Sequence, residues 1–349
     1  MNILHSPTTT GGNSCGLSKA EKMLGISSDT MVFTSNWLNY PVDIDLHFEK
    51  LNRIQKEIKR NLFILKALFK YDTFNFNFAE TLLSYSRFGL NNIDLVLWKI
   101  TRKNIVFVFQ GCDMRLKEYS KANYKYSACS ECSVPLCTKE SDDAKVKKYN
   151  KFRKYARKIY SLNPDLINYY KEAEFLPYAS VDMDEWAPVK NRAKNSCINI
   201  VHAPTSRDIK GTAYIEEAVR KIKEKHDIKF IMVENIPHEK VKEIYKEADI
   251  AVDQLLAGWY GGFAVEMMAL GKPVICYIRN EDLKFIPPGM KDDMPVLNTT
   301  KENIYDKLLL LVENEKSRRE LGEKGREYVE KWHDPVKIVK RLVQEAYSK

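Results

Sequence analysis

A run of about 20 apolar residues, the length needed to cross a bilayer, is missing from this 349-residue chain. That excludes a helical membrane span. The opening residues, MNILHSPTTTGG, also lack the basic start and long apolar core of a signal peptide, so the expectation is a protein made and kept in the cytoplasm. Cysteine is sparse. Seven in so long a chain, an odd number, argue against a disulfide scaffold and fit a reducing compartment. What the chain does have is 44% hydrophobic and 30% charged residues, a globular composition with length enough for two domains, each with its own core.

Positive charge is in excess and unevenly placed. The net charge is +9, and between Arg115 and Lys171 fourteen Lys and Arg stand against six Asp and Glu. Such a region suits an anionic membrane surface, a phosphorylated acceptor or nucleic acid, or is a solvated helical face. Tyr119, Tyr124, Tyr126, Tyr149, Tyr155 and Tyr160 interleave with the basic residues as RNA-stacking side chains would. No RNA-binding module accompanies them, which makes nucleic acid the weaker partner. A second basic segment, Leu46–Lys70, carries apolar residues at Leu51, Ile54, Ile58, Leu62, Leu65 and Phe69, the three–four spacing of one helical stripe. Packing on a sheet is the expected fate of that stripe, and lying on an anionic membrane is the alternative.

The stretch richest in chemistry is Ala248–Tyr277, ADIAVDQLLAGWYGGFAVEMMALGKPVICY. Ile250–Val252 and Val274–Tyr277 have the length and β-branched content of buried parallel strands, and the glycines between them lead into a short helix around Phe263–Leu270. Gly258, Gly261 and Gly262 let the backbone approach a ligand, and a helix beginning at Phe263 and Ala264 offers N–H groups and a positive dipole to an anion. Glu266, just inside, is placed to accept bonds from sugar hydroxyls, so a nucleotide sugar suits both features. The alternative is an ordinary glycine-rich turn with a dipole-favoured surface glutamate. From Ile198 onward strands and helices alternate (Ile198–His202, Ala213–Lys223, Lys229–Val233, His238–Glu247), the pattern of a parallel sheet with ligands at the strands' C-terminal ends.

Residues Gly258 through Pro273 resemble the signature of retaining glycosyltransferases with the GT-B fold, in which two glutamates eight positions apart flank a Gly-Phe-Gly-like loop. Glu266 matches the second glutamate; Gly258 stands in place of the first. The resemblance implies an α/β chain of two Rossmann-like parallel-sheet domains facing a central cleft. An acceptor-side domain would span residues 1–180 and carry a basic, cysteine-bearing insertion at about 112–160. A linker would cover 181–196, with its polar run KNRAKNS. A nucleotide-sugar domain over 197–331 would follow, and a last helix over 332–349 would return to the first domain.

In the loop HAPTSRDIKGT, Arg207 and Lys210 match the Arg and Lys with which this family holds the donor diphosphate. The physics agrees, because two cations beside a glycine and a helix start neutralise a pyrophosphate leaving group. With Glu266 they are the candidate catalytic residues. The donor-binding candidates are Gly12, Gly258, Gly261, Gly262, Phe263 and Ala264, joined by Glu234 and Asn235 from the loop where the family positions the base. On the acceptor side, TTTGGNSCG supplies Gly11, and QGCDMR resembles an aromatic-His-Gly-Ser-Asp-x-Arg pattern. Gly111, Asp113 and Arg115 match it, with Gln110 replacing the His and Cys112 the Ser.

Cys112 is followed by Cys129, Cys132 and Cys137 in ACSECSVPLC. Four thiolates suit a tetrahedral zinc or an iron–sulfur cluster, although a second Cys-x2-Cys pair is missing. A structural zinc pinning the insertion is the expectation, with thiols on a loop as the alternative. The resemblance further implies transfer of a hexose-type sugar from a nucleoside diphosphate to a glycan or lipid-linked acceptor, with retention and no cofactor or metal in catalysis. The setting would be cell-surface polysaccharide assembly, at the inner face of the membrane. Two other readings stay open: an inactive binding protein, because Gly258 and Gln110 replace residues of active relatives, and a nucleic-acid binder using the basic insertion.

Overall fold

Runs of β-branched and aromatic residues alternate with amphipathic segments along the whole chain, and each run becomes one strand of a parallel sheet. In the computed structural model, which describes residues 1–84, 90–188 and 197–348, the chain divides into two units with one sheet each. The first unit comprises Met1–Arg115, Asp143–Ser180 and Pro335–Lys349; the second comprises Leu116–Asp142 and Val181–Asp334.

The first part of the chain runs β1 (Asn2–Ser6), α1 (Asn13–Met23), β2 (Ser27–Val32), β3 (Ile44–Asp45), α2 (Arg53–Lys70), β4 (Thr73–Asn77), α3 (Asp94–Ile100) and β5 (Asn104–Phe109). Then come α4 (Lys117–Asn123), α5 (Ala128–Glu131), α6 (Lys139–Tyr155), β6 (Lys158–Ser161) and β7 (Ala173–Phe175). The sheet order is β3-β2-β1-β4-β5-β6-β7, all parallel. Strand order reverses between β1 and β4, the switch point at which an open parallel sheet leaves a crevice for ligands. Aromatic stacking fills one face: Phe74 lies 4.1 Å from Trp98 and Phe107 3.9 Å from Phe152, centroid to centroid.

The second part runs β8 (Ile198–His202), α7 (Arg207–Lys210), α8 (Thr212–Lys223), β9 (Ile228–Met232), α9 (His238–Lys246) and β10 (Ile250–Val252). It continues with α10 (Gly262–Ala269), β11 (Val274–Cys276), α11 (Pro288–Asp292), β12 (Leu297–Asn298), α12 (Ile304–Glu313) and α13 (Glu315–Trp332), before α14 (Pro335–Leu342). Its sheet order is β12-β11-β10-β8-β9, again parallel, with the switch point between β8 and β10. Ile200, Ile250, Val252 and Ile275 from the strands meet Ile215, Ala218, Val219 and Ile222 of α8 in one apolar core.

Two expectations change. Leu116–Asp142, placed with the acceptor-side domain, groups with the second unit. The bonds explain why: the Ala128 amide donates to Leu256 (3.0 Å), Tyr214 and Lys301 both bond Glu131 (2.9 and 2.7 Å), and Ala128 joins the core of that unit. The second change is at α2. Its buried side is Phe63, Ile64 and Ala67, and the expected stripe of Ile54, Ile58, Leu62, Leu65 and Phe69 faces outward. The linker's polar run lies outside the described residues. Among the described residues no helix is long and apolar enough to cross a membrane.

Candidate functional site

At the switch point of the second sheet, the loops after β8 and β10 converge. Lys210, the last residue of α7, is buried and its Nζ sits 2.5 Å from Asp253 Oδ1. Asp253 follows β10 directly and is fully buried; its other oxygen accepts the Gly261 amide at 2.6 Å. Gly261 caps α10, and a Cβ there would stand 3.3 Å from Lys210 Nζ. So a lysine, a carboxylate and a helix N-terminus are locked together at the crevice. Ala264 does not contribute a donor as expected, since its amide is used on Gly261 O (3.1 Å). The amides of Gly262 and Phe263, in the first turn, have no carbonyl within the helix and are the ones geometry leaves for an anion. The Phe263 ring packs edge-on against Tyr245.

Arg207 lies at the surface in a forked pair with Glu234 (2.9 and 2.6 Å), with Glu216 at 3.3 Å. Glu234 therefore holds Arg207 rather than pointing to a ligand alone, while Asn235 beside it takes a left-handed turn, φ 55°. Glu266 is buried in the second turn of α10, not the first, and His238 Nε2 donates to it at 2.7 Å. His202, at the end of β8, is buried and neutral. Its Nδ1–H donates to Val252 O (2.7 Å), so Nε2 must accept from Thr212 Oγ1 (2.9 Å), and burial pulls its pKa down to about 4. The sequence reading missed Asp253, His238 and His202. The available signal was position: Asp253 and His202 stand at the C-terminal ends of the two strands that flank the switch point.

Gly258 adopts φ +82°, and a Cβ there would come within 2.6 Å of the Arg279 guanidinium. Arg279 is buried, bonded to Asp282 (2.8 Å) and to Tyr126 O (3.0 Å), and stacked 3.6 Å from the Tyr124 ring centroid. A side chain at Gly258 is thus barred twice, by backbone conformation and by the cation above it. Where the resembling signature has a carboxylate, this loop has a guanidinium.

The comparisons agree with this geometry. Residues 208–328 match the family described as glycosyl transferases group 1. HepE of Anabaena in complex with UDP and glucose superposes with a TM-score of 0.63 at 11% identity, over 99% of this chain and 98% of that one. Sucrose-phosphate synthase from Thermosynechococcus elongatus gives 0.58 at 14% identity, over 98% and 97%. WaaG, a glycosyltransferase involved in lipopolysaccharide biosynthesis, gives 0.54 at 12%, over 100% of both chains. No curated protein sequence matches. The chain has the GT-B fold, and residues 208–328 of it resemble the glycosyl transferases group 1.

In the first unit of this GT-B chain, Gly11 and Gly12 have φ +72° and +70°, and the Gly12 amide closes the turn on Thr9 O (2.9 Å). A Cβ on Gly11 would lie 3.4 Å from Gln110 Oε1, and one on Gly12 would strike the Tyr40 ring at 2.7 Å. The loop after β1 and the loop after β5 therefore meet at Gly11 and Gln110. Gln110 Nε2 is buried with no bonding partner. Asp113 accepts the amides of Gln110 (3.1 Å) and Gly111 (2.7 Å), and desolvation raises its carboxyl to about 6. Arg115, expected beside an acceptor, is instead buried and forked onto Asp165 (2.7 and 3.2 Å). It holds the loop in place.

The four cysteines expected to share a zinc do not assemble. Among the described residues the sole group of three or more potential ligands within 4.8 Å is Asp45, His47 and Glu49, at an exposed turn. Cys112 is exposed beside Arg115, whereas Cys129, Cys132 and Cys137 lie along the insertion. Nor are the tyrosines set out for stacking on bases. Tyr124 covers Arg279, Tyr126 meets Tyr277 edge-on, Tyr149 bonds Glu172 and Tyr160 is buried in its strand.

Proposed function

We propose that this chain is a glycosyltransferase that moves a sugar, of the hexosyl type, from a nucleoside diphosphate to a hydroxyl of a glycan or lipid-linked acceptor, with retention and without a catalytic metal. The observation that carries the reading is the meeting of Lys210, Asp253 and the N-terminus of α10 at the switch point of the second sheet. Two related structures hold the matching ligands, HepE with UDP and glucose and HepE with UDP-glucose. A diphosphate placed there receives the first-turn amides and the lysine charge, and Arg207 exchanges Glu234 for phosphate oxygens. The acceptor oxygen bonds to the anomeric carbon as the bond from that carbon to the phosphate oxygen breaks. Its proton passes to the departing phosphate, and the charge that develops is what Arg207, Lys210 and the helix dipole stabilise. Glu266, oriented by His238, accepts from donor hydroxyls. Asp113, with its raised carboxyl, and the unused Gln110 amide suit acceptor hydroxyls. A lipid-linked acceptor in a cell-surface polysaccharide pathway, held at an anionic membrane face, is the setting that a net charge of +9 suits.

The test is a thermal-shift panel of UDP-, GDP-, ADP- and dTDP-sugars on the wild type and on Arg207→Ala. A donor at about a hundred times its Kd adds about 2.7 kcal/mol, a rise of a few degrees. One nucleotide series should stabilise the wild type, and Arg207→Ala should lose that response. Arg207 is the better probe, since Lys210→Ala would strand the buried Asp253 charge at a cost of about 3–5 kcal/mol. No response to any nucleotide sugar sinks the reading. One observation favours a second reading, binding without turnover: Arg279 and Gly258 replace a carboxylate at the donor loop. Donor stabilisation with no nucleotide release against any acceptor would establish it.

A further inference from the structure

Helix α2 turns its apolar stripe to solvent. Ile54, Ile58, Leu62, Leu65 and Phe69 are between 55 and 81% exposed. At about 100° per residue they share an arc of about 80°, opposite the buried Phe63, Ile64 and Ala67. The helix is fixed before any partner arrives, because Asn52 and Gln55 form a reciprocal capping box at its start (3.0 Å each). Its charge is one-sided. Arg53, Lys56, Lys59, Arg60, Lys66 and Lys70 stand against the single acid Glu57, which is taken up by Arg60 (3.0 Å). Lys59 and Lys66 flank one edge of the apolar arc, with Lys70 beyond them paired to Asp29 (2.5 Å), and the helix is about 27 Å long at 1.5 Å per residue.

We infer that α2 is a preformed docking surface for an anionic lipid bilayer. A bare row of five large apolar side chains marks an interaction surface on a folded protein, and the lysines beside it select the occupant. A second copy of this chain would bring Lys59 and Lys66 of each copy to the same contact, which like charges oppose. A bilayer supplies both halves of the match: hydrocarbon for the stripe, which lies about 5–10 Å deep at the acyl boundary, and headgroup phosphates for Lys59 and Lys66. The surface is built from the first unit alone. It stands whether or not the second unit binds a nucleotide sugar, so the two readings fail separately.

The experiment is flotation of the full chain with vesicles of phosphatidylcholine alone and of phosphatidylcholine containing one quarter phosphatidylglycerol, at low and high salt. The wild type should float with the anionic vesicles only, less at high salt. Lys59→Gln and Lys66→Gln should each reduce partitioning about fivefold, and the double variant Ile58→Gln with Leu65→Gln should abolish it. All four positions are at the surface or its edge, so circular dichroism and the thermal transition should match the wild type. Absence of flotation, or flotation unchanged in the double variant, overturns the inference. Concentration-dependent dimerisation in sedimentation velocity that the double variant removes would also overturn it, by assigning the stripe to a copy of the chain.

Discussion

Helices α2 and α8 carry the same kind of pattern and meet opposite fates. Both repeat large apolar residues every three or four positions with lysines between them. In α8 the stripe Ile215, Ala218, Val219 and Ile222 is the side that packs on β8 and β10, and it is buried. In α2 the more conspicuous stripe is left outside, and a smaller set, Phe63, Ile64 and Ala67, meets the protein. Ala67 is fully buried, which marks the closest approach. Periodicity therefore reports that a helix has an apolar side; which side is covered depends on the second stripe, and on what the sheet offers.

Substitutions in the two helices should differ in cost, most in the core of α8 and least in the outer stripe of α2. Ile215→Ala should remove about 2–5 kcal/mol of unfolding free energy in urea, as a large-to-small change in a packed core does. A loss below about 1 kcal/mol would mean that α8 is not the covered helix it is taken to be. Next is the histidine that ties the start of α8 to the sheet. His202 has a folded pKa of about 4, below the ordinary 6.5, so on acidification the unfolded chain takes up the proton first. Stability is full above pH 6.5 and falls until pH 4, by about 2–3 kcal/mol. Comparing urea midpoints at neutral and mildly acid pH, His202→Gln should flatten that slope, whatever it does to the absolute value. An unchanged slope would place the acid sensitivity elsewhere. For α2 the comparable anchor is its cap, and Asn52→Ala should cost about 1 kcal/mol. Ile58→Ala, in the exposed stripe, should stay within about 0.5 kcal/mol of wild type. A core-sized loss there would show that the stripe is covered after all.

The candidate site was partly legible for the same reason. Arg207, Lys210, Gly261 and Glu266 sit in or at the start of the short helices that follow β8 and β10, so their neighbourhood followed from sequence spacing. Their partners did not. Asp253 is 43 residues from Lys210 and His238 is 28 from Glu266, and such pairs exist only once β8, β9 and β10 are laid side by side. Arg279 above Gly258 needed the same step, with the insertion's Tyr124 brought over from more than a hundred residues away. Cys129, Cys132 and Cys137 show the opposite error, since closeness in sequence did not make a ligand set.

The strand–helix alternation, the parallel sheets it requires and the glycine loop at Gly258–Gly262 are written locally in the chain, because they depend on periodicity and on backbone freedom at fixed positions. The covered face of α2, the grouping of Leu116–Asp142 with the second unit, the pairing of Arg115 with Asp165, and the link from Lys210 through Asp253 to the start of α10 arise from the folded arrangement alone. Those are long-range pairings, set by which surfaces are left to bury and which charges are left to neutralise once the sheets have formed.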